Sequence, residues 1–503
     1  MTLPWSPALF ALWALGLTCL FHLLLRSWAR HRLSASRQAQ RRRRLLSHAG
    51  VDAQRGQIVG FFHPYCNAGG GGERVLWTAL AALQRDERGL AHVVYTGDQV
   101  SKEDIIRKAK VVLILGFSDM ADLEGGQFQD RFDITLREDT LHVVNLKKRY
   151  LVEDATWPRF TLLGQSLGSI VLAWEALDAL RPDYFFDTMG YTFTYPLAKW
   201  AGLKVASYTH YPTISTDMLR RVKQRQSGHT NTTGVAQSVL KSEAKLIYYN
   251  IFMTLYAQCL AQADLLMANS TWTCRHLKQI IGDSSKPLSI VYPPCDVRSL
   301  SALRIDTPRL PVFLSVAQFR PEKEHHVQIR ALKCLLDSSE KRTDVRLVLA
   351  GSVRNENDAA RVKGLRALAR ELQVEDHVEF IINAPYSDLL RWFGTATVGL
   401  STMVDEHFGI NVVELMAAGV IPIAHPSAGP LLDIVVPYEG EPTGFHASTS
   451  QEFANQMRAV LALSPAETVK FRQRARESVL ERFSVETFEE GWSRNWKQVV
   501  KGF

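Results

Sequence analysis

Cysteine is scarce in this 503-residue chain: six residues, at 19, 66, 259, 274, 295 and 334. None forms a C-x-x-C pair or has a His partner at zinc spacing, which argues against a disulfide framework and the common zinc modules; they read as reduced thiols of a cytosolic body. Asp-x-Asp is absent as well, so a metal-dependent alternative lacks its usual carboxylates, and no metal is expected. The chain has neither Gly-Lys-Ser/Thr nor G-x-G-x-x-G, and dehydrogenase and ATPase readings lose support. Acid is missing from Arg26 to Arg44, a stretch with eight arginines. Without them the 59 basic residues fall to 51, equal to the 51 acidic ones, so the net +8 is local. No nucleic-acid partner is expected. Low-complexity sequence and short-period repeats are lacking too.

What is present begins with an apolar run. Ala8 to Leu25 holds no Asp, Glu, Lys or Arg, close to the ~20 residues that cross a bilayer. A signal peptide would carry its charge before the run and a small-residue cleavage site after it. Here the charge follows. The spacing predicts a transmembrane anchor at 8–25, a lumenal N-terminus at 1–7, a basic juxtamembrane segment at 26–50 and a cytosolic body. In that orientation the sequons at Asn231 and Asn269 do not meet the lumenal glycosylation enzyme.

From Gln57 onward short apolar runs alternate with amphipathic stretches. Ile58 to Phe62, His92 to Thr96, Val111 to Gly116, Leu141 to Val144, Tyr184 to Phe186 and Val205 to Tyr208 read as buried strands. After a Pro-bearing connection near Tyr292 the rhythm restarts with Val312 to Val316, Arg346 to Ala350, His377 to Ile382, Val398 to Ser401 and Val420 to Ala424. Repeated β-then-α units predict an α/β chain of two parallel-sheet, Rossmann-like domains facing across a cleft. The expected division is 51–292 for the first domain, 293–310 for a linker, 311–480 for the second domain and 481–503 for a C-terminal helix. Leu246 to Ala263 has eighteen uncharged residues and is expected as an in-plane or buried helix, although its length permits a span.

Three motifs carry chemistry. The first follows the first strand: His63-Pro-Tyr-Cys-Asn-Ala-Gly-Gly-Gly-Gly-Glu73-Arg74. Glycines 69 to 72 let backbone N–H groups approach an anion at a helix N-terminus, a place for phosphate. The second is Ser315-Val-Ala-Gln-Phe-Arg320-Pro-Glu-Lys323, at a strand's carboxyl end, where open α/β sheets bind ligands. Two fixed cations there could neutralise a departing diphosphate, work often given to a metal. The third is Glu406-His-Phe-Gly-Ile-Asn-Val-Val-Glu414. A separation of eight leaves two carboxylates near one face and one end of a helix, where they can accept hydrogen bonds from hydroxyls of a sugar and a ribose. No stretch announces a guanine reader, but the loops at Gly351 to Asn355 and Asn383 to Tyr386 lie at suitable strand ends.

These motifs, with Ala263-Asp-Leu-Leu-Met-Ala-Asn-Ser270 and Val291-Tyr-Pro-Pro-Cys-Asp296, resemble glycosyltransferase family four, retaining enzymes of the two-Rossmann-domain GT-B fold; the likeness covers roughly Ile58 to the C-terminus. Phe62 to Arg74, Tyr208 to Asp217 and Glu406 to Glu414 are most similar to members acting in asparagine-linked glycosylation. That resemblance implies a retaining α-1,2-mannosyltransferase using GDP-mannose as donor and dolichyl-diphosphate-linked trimannosyl-chitobiose as acceptor. It would add the fourth and fifth mannoses on the cytosolic face of the endoplasmic reticulum membrane. The resemblance further implies an acceptor-side first domain, a donor-binding second one and a C-terminal helix packing back on the first. By position it implies that Glu406 holds mannose hydroxyls and Glu414 the ribose. Arg320 and Lys323 would grip the diphosphate, approached by Gly70, Gly71 and Gly72, with Gly409 in the donor site. His210 either contacts substrate or packs as a structural histidine in the cleft. Membrane lipids and other enzymes of the pathway are the further partners implied. Another membrane-associated member of the family, or a non-catalytic nucleotide-sugar scaffold, are the competing readings.

Overall fold

The computed structural model describes residues 23–24, 26–67, 70–107, 136–214, 239–282, 286–295, 297–338 and 344–501. Most of the expected anchor at 8–25, Gly69, the expected strand at Val111 to Gly116 and the Asn231 sequon lie outside them.

Among the described residues the first domain holds a seven-stranded sheet: β1 (Gln57–Phe62), β2 (Leu90–Thr96), β3 (Leu141–Asn145), β4 (Tyr184–Asp187), β5 (Lys204–Thr209), β6 (Leu265–Ala268) and β7 (Leu288–Ile290). The second holds six: β8 (Leu310–Val316), β9 (Arg346–Gly351), β10 (Val378–Ile382), β11 (Ala396–Ser401), β12 (Ile421–Ala424) and β13 (Phe445–His446). Every strand pair in both sheets is parallel. The orders are 3-2-1-4-5-6-7 and 10-9-8-11-12-13. Each sheet starts at its centre, winds outward and returns to the other side. The β1/β4 and β8/β11 neighbours are therefore switch points, where a crevice opens beyond the carboxyl ends.

The period-two alternation of strands divides the core. In β1, Ile58 and Phe62 enter one apolar cluster while Val59 and Phe61 enter another on the opposite face. Parallel strands covered on both faces read as continuous apolar runs, which is why they were legible. Strands β6, β7 and β13 were not expected; at four, three and two residues they are too short to show a period.

The C-terminal helix Val485–Lys501 presents Phe488, Trp492, Trp496 and Val499, at helical spacing, to the first domain's core. Trp492 lies 5.3 Å from Phe186 and Trp496 4.8 Å from Tyr184, ring centre to ring centre. Arg85 adds an ion pair to Glu489 at 2.6 Å. Residues 26–50, expected as a basic juxtamembrane stretch, also build this domain: Ala29, Leu33, Leu45 and Leu46 are buried in its core. Arg42 donates to Asp183 and to the Gly56 carbonyl.

The helix Val239–Leu260 buries Tyr249, Phe252, Tyr256 and Leu260 and exposes Ile247, Ile251 and Leu255. Among the described residues no helix is long and apolar enough to cross a membrane; this one buries one face in the first domain's core and leaves the other exposed.

Candidate active site

A cleft of about 490 Å³ runs between the two sheets' carboxyl ends. Its walls include Gly70, Gly71, Gly72 and His210 from the first domain, and Arg320, Lys323, Glu406, Gly409 and Glu414 from the second. All of the sequence-predicted site residues thus meet in one cleft.

The glycine loop follows β1 and ends at Gly70, the extended cap of helix Gly71–Asp86. A Cβ on Gly71 would come within 2.8 Å of Ile410 Cδ1, and one on Gly72 within 3.4 Å of His210 Nε2. A side chain at Gly71 would press on the tip of the Ile410 side chain across the cleft, and one at Gly72 would rest against the His210 ring. Gly409 caps the helix Ile410–Ala417 with φ +110°, a conformation that L side chains rarely adopt. The first N–H groups of both helices therefore border the cleft, where the aligned peptide dipoles favour an anion.

Lys323 ends a short turn after β8, and its Nζ pairs with Glu406 Oε2 from the loop after β11. Thr402 holds the turn by donating to the Lys323 carbonyl at 2.8 Å, and Gln328 donates in turn to Thr402 at 2.9 Å. Glu406 is held through its own carbonyl, which accepts from Gly429 N at 2.9 Å. Glu414 is 2% exposed. Arg320 borders the same cleft but lies 3.4 Å from Glu322 and is half-exposed.

His210 follows β5 and is half-buried, with its Nε2 atom shielded from solvent and lacking a protein partner. Burial lowers its pKa to about 4, and burial with neighbouring His210 lowers that of His63 to about 3. Both are neutral near pH 7. Their folded values lie below the ordinary 6.5, so the unfolded chain binds more protons in that interval. The stability they confer is complete above pH 6.5 and is lost as pH falls toward 4 and 3. Melting midpoints are expected to fall steadily from pH 7 to pH 5; equal midpoints at the two pH values would contradict neutral histidines in the folded protein.

Beside Glu406, the His407 ring stacks on Tyr211 at 4.1 Å and lies 5.2 Å from Trp272. Asp433 accepts from Thr271 N at 3.0 Å and from Tyr292 Oη at 2.9 Å. These contacts fix the two domains' relative position at the mouth of the site. Gly351, Ser352, Asn383 and Tyr386 line the same cleft. Val353 N donates to Asn383 Oδ1 at 2.9 Å, joining the two loops proposed as base-side walls.

Sequence reasoning gave Arg74 no role, although it stands two residues past the glycine run. It is 5% exposed, borders the cleft, and its Nη1 lacks a partner. Leaving a buried charged donor unsatisfied costs about 1–3 kcal/mol or more, so an anion in the cleft would be its natural partner. Arg74→Ala is expected to weaken nucleoside-diphosphate binding by about tenfold or more while binding of the nucleoside alone changes little, as read by calorimetric titration.

Comparison with known proteins places this architecture. The family described as ALG11 mannosyltransferase N-terminus matches residues 56–121 and 125–281, and glycosyl transferases group 1 matches 306–478. The chain belongs to the ALG11 mannosyltransferase family. A relative from Homo sapiens, named GDP-Man:Man(3)GlcNAc(2)-PP-Dol alpha-1,2-mannosyltransferase, is 45% identical over 90% of this chain and 88% of its own length. The mouse protein of the same name is 46% identical over 86% and 85%. Among solved structures, a glycosyltransferase from Rickettsia africae superposes with TM-score 0.59 at 14% identity, over 89% of this chain and all of that one. At that identity the likeness concerns the fold alone. Family membership and fold agree that the chain is a glycosyltransferase of two facing Rossmann-like domains.

Proposed function

We propose that the enzyme transfers mannose, with retention, from GDP-mannose to dolichyl-diphosphate-linked trimannosyl-chitobiose, forming two successive α-1,2 linkages. The observation that carries this reading is the meeting of Lys323, Glu406 and Glu414 with two helix N-termini in a single interdomain cleft, in a chain whose family relatives bear that activity in their names.

Each part has a physical task. The diphosphate lies against the glycine loop, Arg320, Lys323 and Arg74, whose charges offset the negative charge that grows as the sugar departs. Glu414 receives the ribose hydroxyls. Glu406, held at Lys323, accepts from mannose hydroxyls and positions the ring; it is not the base. The C1–O bond to phosphate breaks, a C1–O bond to the acceptor 2-hydroxyl forms on the same face, and the hydroxyl proton passes to the departing phosphate oxygen. His210, neutral and half-buried against Gly72, packs where the sugar or acceptor would enter.

The acceptor's dolichol confines it to a bilayer, so anchoring the enzyme raises the effective concentration of the two partners. Residues 8–25 supply that anchor as a single span, with both domains on the cytosolic face of the endoplasmic reticulum. A glycosylation acceptor site fused before residue 8 is expected to be modified in microsomes, and one fused after residue 503 is not.

The deciding assay supplies GDP-mannose and synthetic lipid-diphosphate trimannosyl-chitobiose to the full-length protein in liposomes. Product longer by two mannoses is the expected result. A folded enzyme that ignores this acceptor but extends a shorter one, or uses another donor, overturns the named reaction and leaves the fold intact.

A further inference from the structure

On the first domain, at the point where the chain leaves its apolar N-terminal stretch, lies a second pocket of about 690 Å³. Its walls carry Arg26, Arg30, Lys199, Lys204, Gln258 and Gln262, and no Asp or Glu. Asp264 lies behind the wall and grips Lys199 Nζ with both carboxylate oxygens at 2.8 Å. Arg30 is steadied by the Trp200 carbonyl at 3.3 Å. The remaining positive charge, with two carboxamides, suits a phosphate-bearing group.

The pocket continues an apolar ridge. On the helix Val239–Leu260, Ile247, Ile251 and Leu255 point outward at 62%, 58% and 42% exposure. Gln258, and Gln262 just beyond the helix end, follow on the same side at helical spacing. Phe160, whose ring lies 5.6 Å from Tyr248 of that helix, extends the exposed apolar surface at 67% exposure. Leu23 and Leu24, within three residues of Arg26, are also exposed. Apolar surface leading into a cationic pocket is the pattern of an amphiphile with an anionic head.

We propose that this pocket binds the headgroup phosphate of an anionic phospholipid, with the acyl chains lying along the Ile247, Ile251 and Leu255 ridge. The proposal rests on the membrane reading given above, since Arg26 emerges from the apolar stretch at headgroup depth. A lipid seated there would orient the first domain on the bilayer by adding a second point of attachment to the anchor. The juxtamembrane arginines thereby act as part of a shaped site as well as a diffuse attraction.

The test uses full-length, delipidated protein in detergent, titrated with dioctanoyl phosphatidylserine, dioctanoyl phosphatidylcholine and inorganic phosphate, with the thermal midpoint as readout. Saturable binding of the serine lipid is expected, about tenfold or more tighter than the choline lipid and than phosphate. Arg26→Glu combined with Lys204→Glu is expected to remove about tenfold of that affinity; Lys363→Glu combined with Lys470→Glu, on the second domain, is not. Ile251→Asp should weaken the lipid without affecting phosphate. Phosphate binding as tightly as the serine lipid would make this a free-anion site and overturn the proposal. Equal affinity for the two lipids, or serine-lipid binding untouched by the paired charge reversal, would overturn it too. Mannose transfer measured in the same detergent separates the two readings: transfer without lipid selectivity sinks only the headgroup site, while a folded protein without transfer sinks the reaction.

Discussion

Glu406→Ala and Lys323→Ala are each expected to lower mannose transfer by about 10²–10³-fold, the usual cost of removing one preorganised charged group from a transfer site. The two side chains are ion-paired and only 15% and 20% exposed, so removing one leaves the other poorly solvated and free to move. Because they act as a unit, the double variant should lose little more than either single one. Glu406→Gln keeps the shape but forfeits the charge that holds Lys323. It should bind GDP nearly as well as wild type and still transfer slowly, since the loss concerns sugar positioning. Single-turnover rates with radiolabelled donor would measure this, and a Glu406→Ala enzyme within threefold of wild type would remove Glu406 from the site.

A loss of similar size is expected from a residue that touches no substrate. A Cβ on Gly429 would lie 2.1 Å from the Phe408 carbonyl oxygen and 2.5 Å from Phe408 Cα. Both are backbone atoms of the loop that carries Glu406, so the clash cannot be relieved by turning a side chain. Gly429 N also donates to the Glu406 carbonyl at 2.9 Å. Gly429→Ala must therefore displace the loop, and a shift near 1 Å at a positioning residue costs about 10²-fold. Transfer should fall at least that far, accompanied by a lower melting midpoint. Gly440, which has open space around the site of its Cβ, has φ +81°; Gly440→Asn is the matched control and should leave transfer unchanged. Wild-type transfer by Gly429→Ala would show that this loop tolerates movement.

Local rules made much of this legible. Arg320 and Lys323 follow a continuous apolar run, β8, and Glu406 follows another, β11; the carboxyl end of a parallel strand is where ligands bind, whatever the rest of the fold. Gly70 to Gly72 were marked by composition. Arg74 was invisible because an arginine in a first helical turn usually lies in solvent, and its burial at the cleft wall arises only in the folded molecule. The Tyr211, Trp272 and His407 stack escaped notice for a similar reason: its members are separated by more than sixty residues at the nearest and come together only at the domain boundary.

The sequence by itself determined the parallel α/β class, the division into two blocks and the chemical kind of each motif. These follow from periodicity, charge and backbone freedom over windows of a few to some twenty residues. Only the tertiary structure decided that Lys323 pairs with Glu406, that Gly71 faces Ile410, that the C-terminal helix seats two tryptophans on the first sheet, and that Arg26 and Lys204 share a pocket with Gln258. Each of these pairs elements distant along the chain. Which of many apolar faces meet is settled by the summed packing of the whole molecule, and no local pattern records it.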